Sequence, residues 1–196
     1  MIANMDAWAR SNTPPPESRY PHISDGTLVP LGKYAFPSIP GVKQPHEANA
    51  AYRLDYGPNW RGGILGLQPP RVRQSFTVLV PQVDADGNET SGIRLPEITV
   101  PLATYASWNL RDPSIGASEQ RVSFEGSYLP FAKTAEDRRG KRDPRKAIAE
   151  RYSGRQDYLT RYSRAVDALA NARWILKEDV PSLLSRGEQE WDEAMR

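Results

Sequence analysis

The 196 residues contain no cysteine, which excludes disulfides, thiolate metal sites and a cysteine nucleophile. Histidine is scarce: only His22 and His46 occur. A serine triad needs a histidine, and a hydrolase nucleophile elbow needs G-x-S-x-G. That pentad is missing; Gly116-Ala-Ser-Glu-Gln120, around Ser118, comes nearest and lacks the closing glycine. H-E-x-x-H, G-x-G-x-x-G and G-K-[ST] are missing too, so neither a zinc helix nor a phosphate loop is written here. Charge of one sign is not in excess, with 26 Lys and Arg against 24 Asp and Glu. Such a balance sets up no overall field for nucleic acid. No apolar run approaches the roughly 20 residues that span a bilayer. The opening Met1-Ile-Ala-Asn-Met-Asp-Ala-Trp8 has neither the basic nor the apolar region of a signal peptide.

What the chain does have is proline, unevenly spread. Sixteen of 18 prolines and 11 of 14 glycines precede residue 133. Proline removes a donor and breaks helices, so Ser11 to Phe131 reads as loops, turns and strands. Three regions follow: 1–18, the end of a helix plus a Thr13-Pro-Pro-Pro16 linker in polyproline II; 19–132, a loop-rich β region with a hairpin at 76–100; and 133–196, a charged linker and C-terminal helices. The fold class is α+β, a proline/glycine-rich loop region with a β-hairpin followed by a helical layer of two to three helices.

Phe76 to Val83 and Ile93 to Val100 read as the paired strands. The second changes phase at Pro96-Glu97, which predicts a bulge. Asp84-Ala-Asp-Gly-Asn-Glu-Thr90 between them begins like a calcium loop. It has Glu89 where that loop needs glycine and Leu95 where it needs a bidentate acid, so a hairpin turn is the simpler reading. Asp143 and Pro144 predict the cap and first residue of a short helix to Arg151. Arg155 to Ile175 carries Tyr158, Leu159, Tyr162, Val166 and Leu169 at helical spacing, with Ser153 and Gln156 as a capping box. Val180 to Met195 reads as a last helix, capped by Asp179, with Pro181 tolerated in its first turn. The aromatics scattered over Arg19 to Arg73, among them Tyr20, Tyr34, Phe36, Tyr52, Tyr56 and Trp60, read as anchors onto a surface that this loop covers.

Few residues offer chemistry. His22 lies near Asp25, which could orient it as a base, but a loop histidine explains it as well; His46 is alike. The run Arg138-Arg-Gly-Lys-Arg142 with Arg145 and Lys146 could grip phosphate, yet interleaved acids and the lack of aromatics favour a solvated linker. The most informative group follows the apolar stretch Val100 to Tyr105: Tyr105, Trp108, Asn109 and Arg111. A buried amide or guanidinium must be paired. These four are therefore either a hydrogen-bonded network or the wall of a substrate pocket or interdomain contact. The residues indicate no catalytic, metal or cofactor site.

Several stretches carry a resemblance. They are Met5-Asp-Ala-Trp8 with Thr13-Pro-Pro-Pro-Glu-Ser-Arg-Tyr-Pro21 and Asp25-Gly-Thr-Leu-Val29; Phe36-Pro-Ser-Ile-Pro-Gly-Val42 with Arg53-Leu-Asp-Tyr-Gly-Pro58; and the run Val78 to Arg111, continued by Gly126-Ser-Tyr-Leu-Pro-Phe-Ala132, Asp143-Pro-Arg145, Glu150-Arg-Tyr152 and Glu178-Asp-Val-Pro181. In this order the chain resembles the C-terminal region of a family of bacterial α/β-hydrolase-domain proteins that are esterase-like. The resemblance implies a serine-hydrolase parent whose elbow and triad histidine lie upstream of these residues. It assigns no catalytic residue here, and it implies one partner, the upstream hydrolase core of the same parent. The residues alone leave open a self-standing protein-interaction module and, less directly, an enzyme using His22.

Overall fold

The clearest helical stripe, Tyr158, Tyr162, Val166 and Leu169, is the buried face of a 17-residue helix. The structure, a computed structural model, describes all residues from Met1 to Arg196. The elements in chain order are α1 (Ile2–Ser11), β1 (Leu28–Pro30), β2 (Tyr52–Asp55), β3 (Arg71–Ser75), β4 (Leu79–Pro81), α2 (Pro96–Thr99), β5 (Ala103–Ala106), β6 (Ser127–Pro130), α3 (Ala135–Lys141), α4 (Ile148–Arg151), α5 (Arg155–Asn171) and α6 (Val180–Met195). The three sheets are antiparallel pairs, β1–β4, β2–β3 and β5–β6. The fold is mixed α+β, with helices and short strand pairs, as the sequence implied.

The larger core joins both halves of the chain. Tyr158, Tyr162 and Val166 of α5 pack with Trp191 of α6, Ile148 and Tyr152, and with Val100, Leu102 and Phe131 from the strand region. Ring pairs set the geometry: Tyr152 meets Tyr158 edge-on at 5.2 Å and Trp191 lies tilted 5.1 Å from Tyr158, distances typical of favourable aromatic contacts. A second core holds Phe36, Ile39, Val83, Ala106 and Trp108, with Phe36 edge-on to Trp108 at 5.2 Å.

Several expectations are corrected. The strand expected from Phe76 to Val83 shortens to Leu79–Pro81 and pairs with β1, Val29 opposite Val80. It does not pair with Ile93 to Val100. The phase change there is a helical turn, with Pro96 in the first turn of α2. Proline's fixed φ suits that position better than a strand interior. The turn itself is real: Val83 bridges Glu89, and the Asp84 carboxylate accepts from the Asp86 and Asn88 amides, both at 3.0 Å. Gly87 sits there at φ +82, where a Cβ would lie 2.8 Å from Thr104 and 2.9 Å from Phe36, so only glycine fits.

Asp143 does not cap a helix. Its carboxylate turns inward to Arg145, and α4 begins later, at Ile148, with Glu150 accepting from the Ala147 amide at 2.8 Å. The expected Ser153–Gln156 capping box is not formed: the N-cap of α5 is Gly154, and the side chain that reaches back is that of Asp157, whose carboxylate accepts from the Ser153 amide at 3.1 Å. The stretch read as a solvated linker contains α3, capped by Thr134. The predicted last helix occupies Val180–Met195 as expected, but Asp179, at its N-cap position, makes no side-chain capping hydrogen bond. Of the scattered aromatics, Phe36 is buried and Tyr34 stacks on it at 5.9 Å. Tyr20, Tyr52 and Trp60 are exposed. The N-terminal helix is held from outside: Asn4 donates to the Arg173 carbonyl at 3.1 Å and Arg173 donates to the Pro14 carbonyl at 2.5 Å.

Candidate functional site

Of the four residues singled out by sequence, three come together. Trp108, Asn109 and Arg111 line one cavity of about 370 Å³ with Val42, Ser118 and Leu129. β5 delivers them. Ala106 and Trp108 belong to the smaller core, and the chain then turns into a tongue. Arg111 donates its amide to Gln120 at 2.9 Å and Val122 donates to Asn109 at 2.8 Å, with Leu110 bridging Arg121. Trp108 is buried, and its carbonyl accepts from the Ser127 hydroxyl at 2.8 Å. Asn109 and Arg111 are half-exposed. The Arg111 guanidinium closes the tongue by donating to the Gly116 and Ile115 carbonyls at 3.1 and 3.3 Å.

Tyr105 faces elsewhere. Its ring meets Tyr128 edge-on at 5.4 Å, and it does not line the Trp108 cavity. Burial, with the charge of Glu190 behind it, pushes the Tyr105 hydroxyl well above its ordinary pKa, so it is a neutral phenol at working pH.

Sequence reasoning missed the most tightly bonded polar group. Arg145, assigned to a solvated linker, is 4% exposed. A guanidinium carries five N–H hydrogens, and five acceptor contacts engage them. Nε and one terminal nitrogen donate to Asp143 at 3.0 and 2.6 Å. The others donate to the Thr104 hydroxyl at 2.8 Å and the Leu129 and Pro130 carbonyls at 2.9 and 3.3 Å. Thr104 in turn donates to the Asp86 carbonyl, and the Asp86 carboxylate takes both terminal nitrogens of Arg151. Arg145 and Arg151 lie over the Phe131 ring, at 5.1 and 4.1 Å. Beside them Asn88, fully buried, donates to Ala103 at 3.1 Å and accepts from Tyr105 at 2.8 Å. The burial of Asp143 raises its pKa, and the hydrogen bonds from Arg145 outweigh this and hold it below the ordinary carboxylate range. With every donor occupied, Arg145 grips no phosphate; it ties the turn, β5, β6 and the first C-terminal helices into one body. The only sequence signal was the Asp143-Pro-Arg145 spacing.

The remaining candidates stay apart. Asp25 is taken by Thr27, hydroxyl at 2.6 Å and amide at 3.0 Å, which holds the Asp25 pKa below its ordinary value. The His22 ring lies tilted against Tyr20, with centroids 4.3 Å apart. His46 reaches Glu119 at 3.4 Å on the surface, where Lys43 shares the carboxylate at 3.1 Å. No hydrogen bond joins Ser118 to either histidine. In the turn, Asp84 also pairs with Arg94 at 2.9 Å, so its carboxylate and that of Asp86 are engaged by arginines and amides. No group of three or more histidines and acids is placed to hold a metal ion. No helix is long and apolar enough to cross a membrane.

No curated protein and no solved structure matches the chain. A family described as an α/β hydrolase domain matches residues 1–185. That span covers nearly the whole chain, including the tongue, the Arg145 network and α5; the chain belongs to the α/β hydrolase domain family.

Proposed function

We propose that this chain is the C-terminal part of an esterase-like α/β hydrolase, with a structural, pocket-shaping role beside a catalytic core that belongs to the same parent protein. One observation carries the reading. The α/β hydrolase domain family matches 185 residues that lack the G-x-S-x-G elbow on which hydrolases of that fold build their triad, and no hydrogen bond joins Ser118 to either histidine. The chain supplies instead a rigid platform, tied by Arg145, from which the Trp108–Asn109–Arg111 tongue projects. Such a tongue suits the wall of a substrate entrance, where a few polar groups converge on an apolar side chain.

A second reading, a self-standing interaction module, is favoured by the β2–β3 ribbon. Leu54 and Val72 face each other across it and are 46% and 65% exposed. Trp60, Ile64, Leu65 and Phe76 are exposed in the same part of the chain. Apolar patches of this kind mark contact surfaces.

The test is a serine-directed phosphonate probe with short-chain nitrophenyl esters, applied to the chain alone and to a fusion with the parent's hydrolase region. The proposal expects labelling and turnover only in the fusion. Stoichiometric labelling of the chain alone, abolished by His22→Ala or His46→Ala, contradicts it. A monodisperse, inactive chain whose fusion is also inactive favours the interaction module.

A further inference from the structure

A second cavity, of about 520 Å³, has Trp108, Arg121 and Phe124 in its lining. We propose that it binds a small organic carboxylate with an aromatic or apolar body, the charge on Arg121 and the body between Trp108 and Phe124. The volume falls in the range of small-molecule sites.

Four observations converge. Arg121 is half-buried and forms no ion pair; its guanidinium is steadied by the Asn49 amide oxygen. It is therefore positioned without being neutralised, and its fork suits a carboxylate. The acid of the same cavity, Glu125, is exposed, so solvent screens its repulsion more than it screens the attraction of Arg121. Phe124 is the anomaly: it is fully exposed and its φ is +62. A bulky residue in left-handed backbone is strained, and nothing in the chain covers the ring to compensate. Strain of this kind collects at ligand clamps. The loop is also fixed from behind, because Gly126 passes so close to Ala106 that a Cβ would stand 2.5 Å from its carbonyl oxygen. A ligand body seated against Trp108 would give the Phe124 ring the contact that it lacks.

The experiment is calorimetric titration of the full chain with phenylacetate, and with 2-phenylethanol as the uncharged counterpart. Phenylacetate is expected to bind saturably, at least about tenfold more tightly than the alcohol, given the usual worth of a charge-assisted hydrogen bond. Arg121→Gln should remove that preference, and Glu125→Gln should strengthen binding. Phe124→Gly should raise the melting temperature while weakening phenylacetate. Phe124→Asn tolerates left-handed backbone and separates loss of the ring from relief of strain; it should weaken binding as well. Absence of saturable phenylacetate binding, equal affinity for acid and alcohol, or unchanged affinity in both Phe124 variants would overturn the proposal.

Discussion

Arg145 and Asp143, two residues apart, close a ring of two hydrogen bonds at 3.0 and 2.6 Å inside the protein. A carboxylate and a guanidinium both removed from water stabilise a fold only when their remaining valences are filled. Here Thr104, Leu129 and Pro130 fill them, so the pair fixes β5, β6 and the approach to α4 in one arrangement.

Arg145→Ala should therefore destabilise the chain by about 3–5 kcal/mol, because it leaves Asp143 buried and unpaired. Arg145→Lys should recover little of this, since an ammonium cannot span the same five acceptors. Urea unfolding followed by circular dichroism measures both. A loss under about 1 kcal/mol for Arg145→Ala would mean that the network is not organised as described.

The same pair sets an acid limit. The folded pKa of Asp143 lies below its ordinary 3.8, because the hydrogen bonds from Arg145 outweigh burial. A depressed carboxylate contributes stability that is present above the unfolded pKa and is lost as pH falls through the folded value. The melting temperature should therefore drop as pH goes below about 4. The Asp143→Asn variant should start lower at neutral pH and lose less than the wild type as the solution is acidified through that range. An identical slope in the two proteins would assign the acid loss to other carboxylates.

Two glycine substitutions should move stability in opposite directions. Alanine ordinarily stabilises a helix interior over glycine by up to about 1 kcal/mol. At Gly140 in α3 a Cβ meets nothing within 4 Å, so Gly140→Ala should stabilise. At Gly187 in α6 a Cβ would stand 2.7 Å from the buried Tyr162 ring. Gly187→Ala should therefore destabilise by about 1–3 kcal/mol, the usual effect of overpacking. Thermal melts of the two variants decide it, and a stable Gly187→Ala would show that α6 does not lie against Tyr162 as described.

Asn88→Ala should cost about 2–4 kcal/mol, since it strands the Ala103 carbonyl and the Tyr105 amide without partners in the interior. Hydrogen exchange gives a local readout: the Tyr105 amide, protected in wild type by the Asn88 side chain at 2.8 Å, should exchange faster than its neighbours in the variant. Unchanged protection would locate its acceptor elsewhere.

Local chemistry made part of this protein legible from the sequence. The α5 stripe and the start of α6, with Pro181 in its first turn, follow from helical period and proline geometry, which depend on near neighbours in the chain. The Asp84–Asn88 turn follows from short polar side chains that bond their own backbone. Trp108, Asn109 and Arg111 were legible as a group because they are close in sequence, and closeness places them on one tongue. Tertiary structure decided the rest. A short strand carries no label for its partner, so Leu79–Pro81 pairs with Leu28–Pro30, far back in the chain, and the run expected to pair with it turns into α2. Charge in a sequence reads as solvated surface until a buried set of acceptors calls for it. Arg145 became interior only because Thr104, Leu129, Pro130 and Asp143 converge on one point, and Thr104 lies 41 positions away from it in the chain. The neutral phenol of Tyr105 and the strained backbone of Phe124 likewise depend on what the folded chain places around them and where it leaves space.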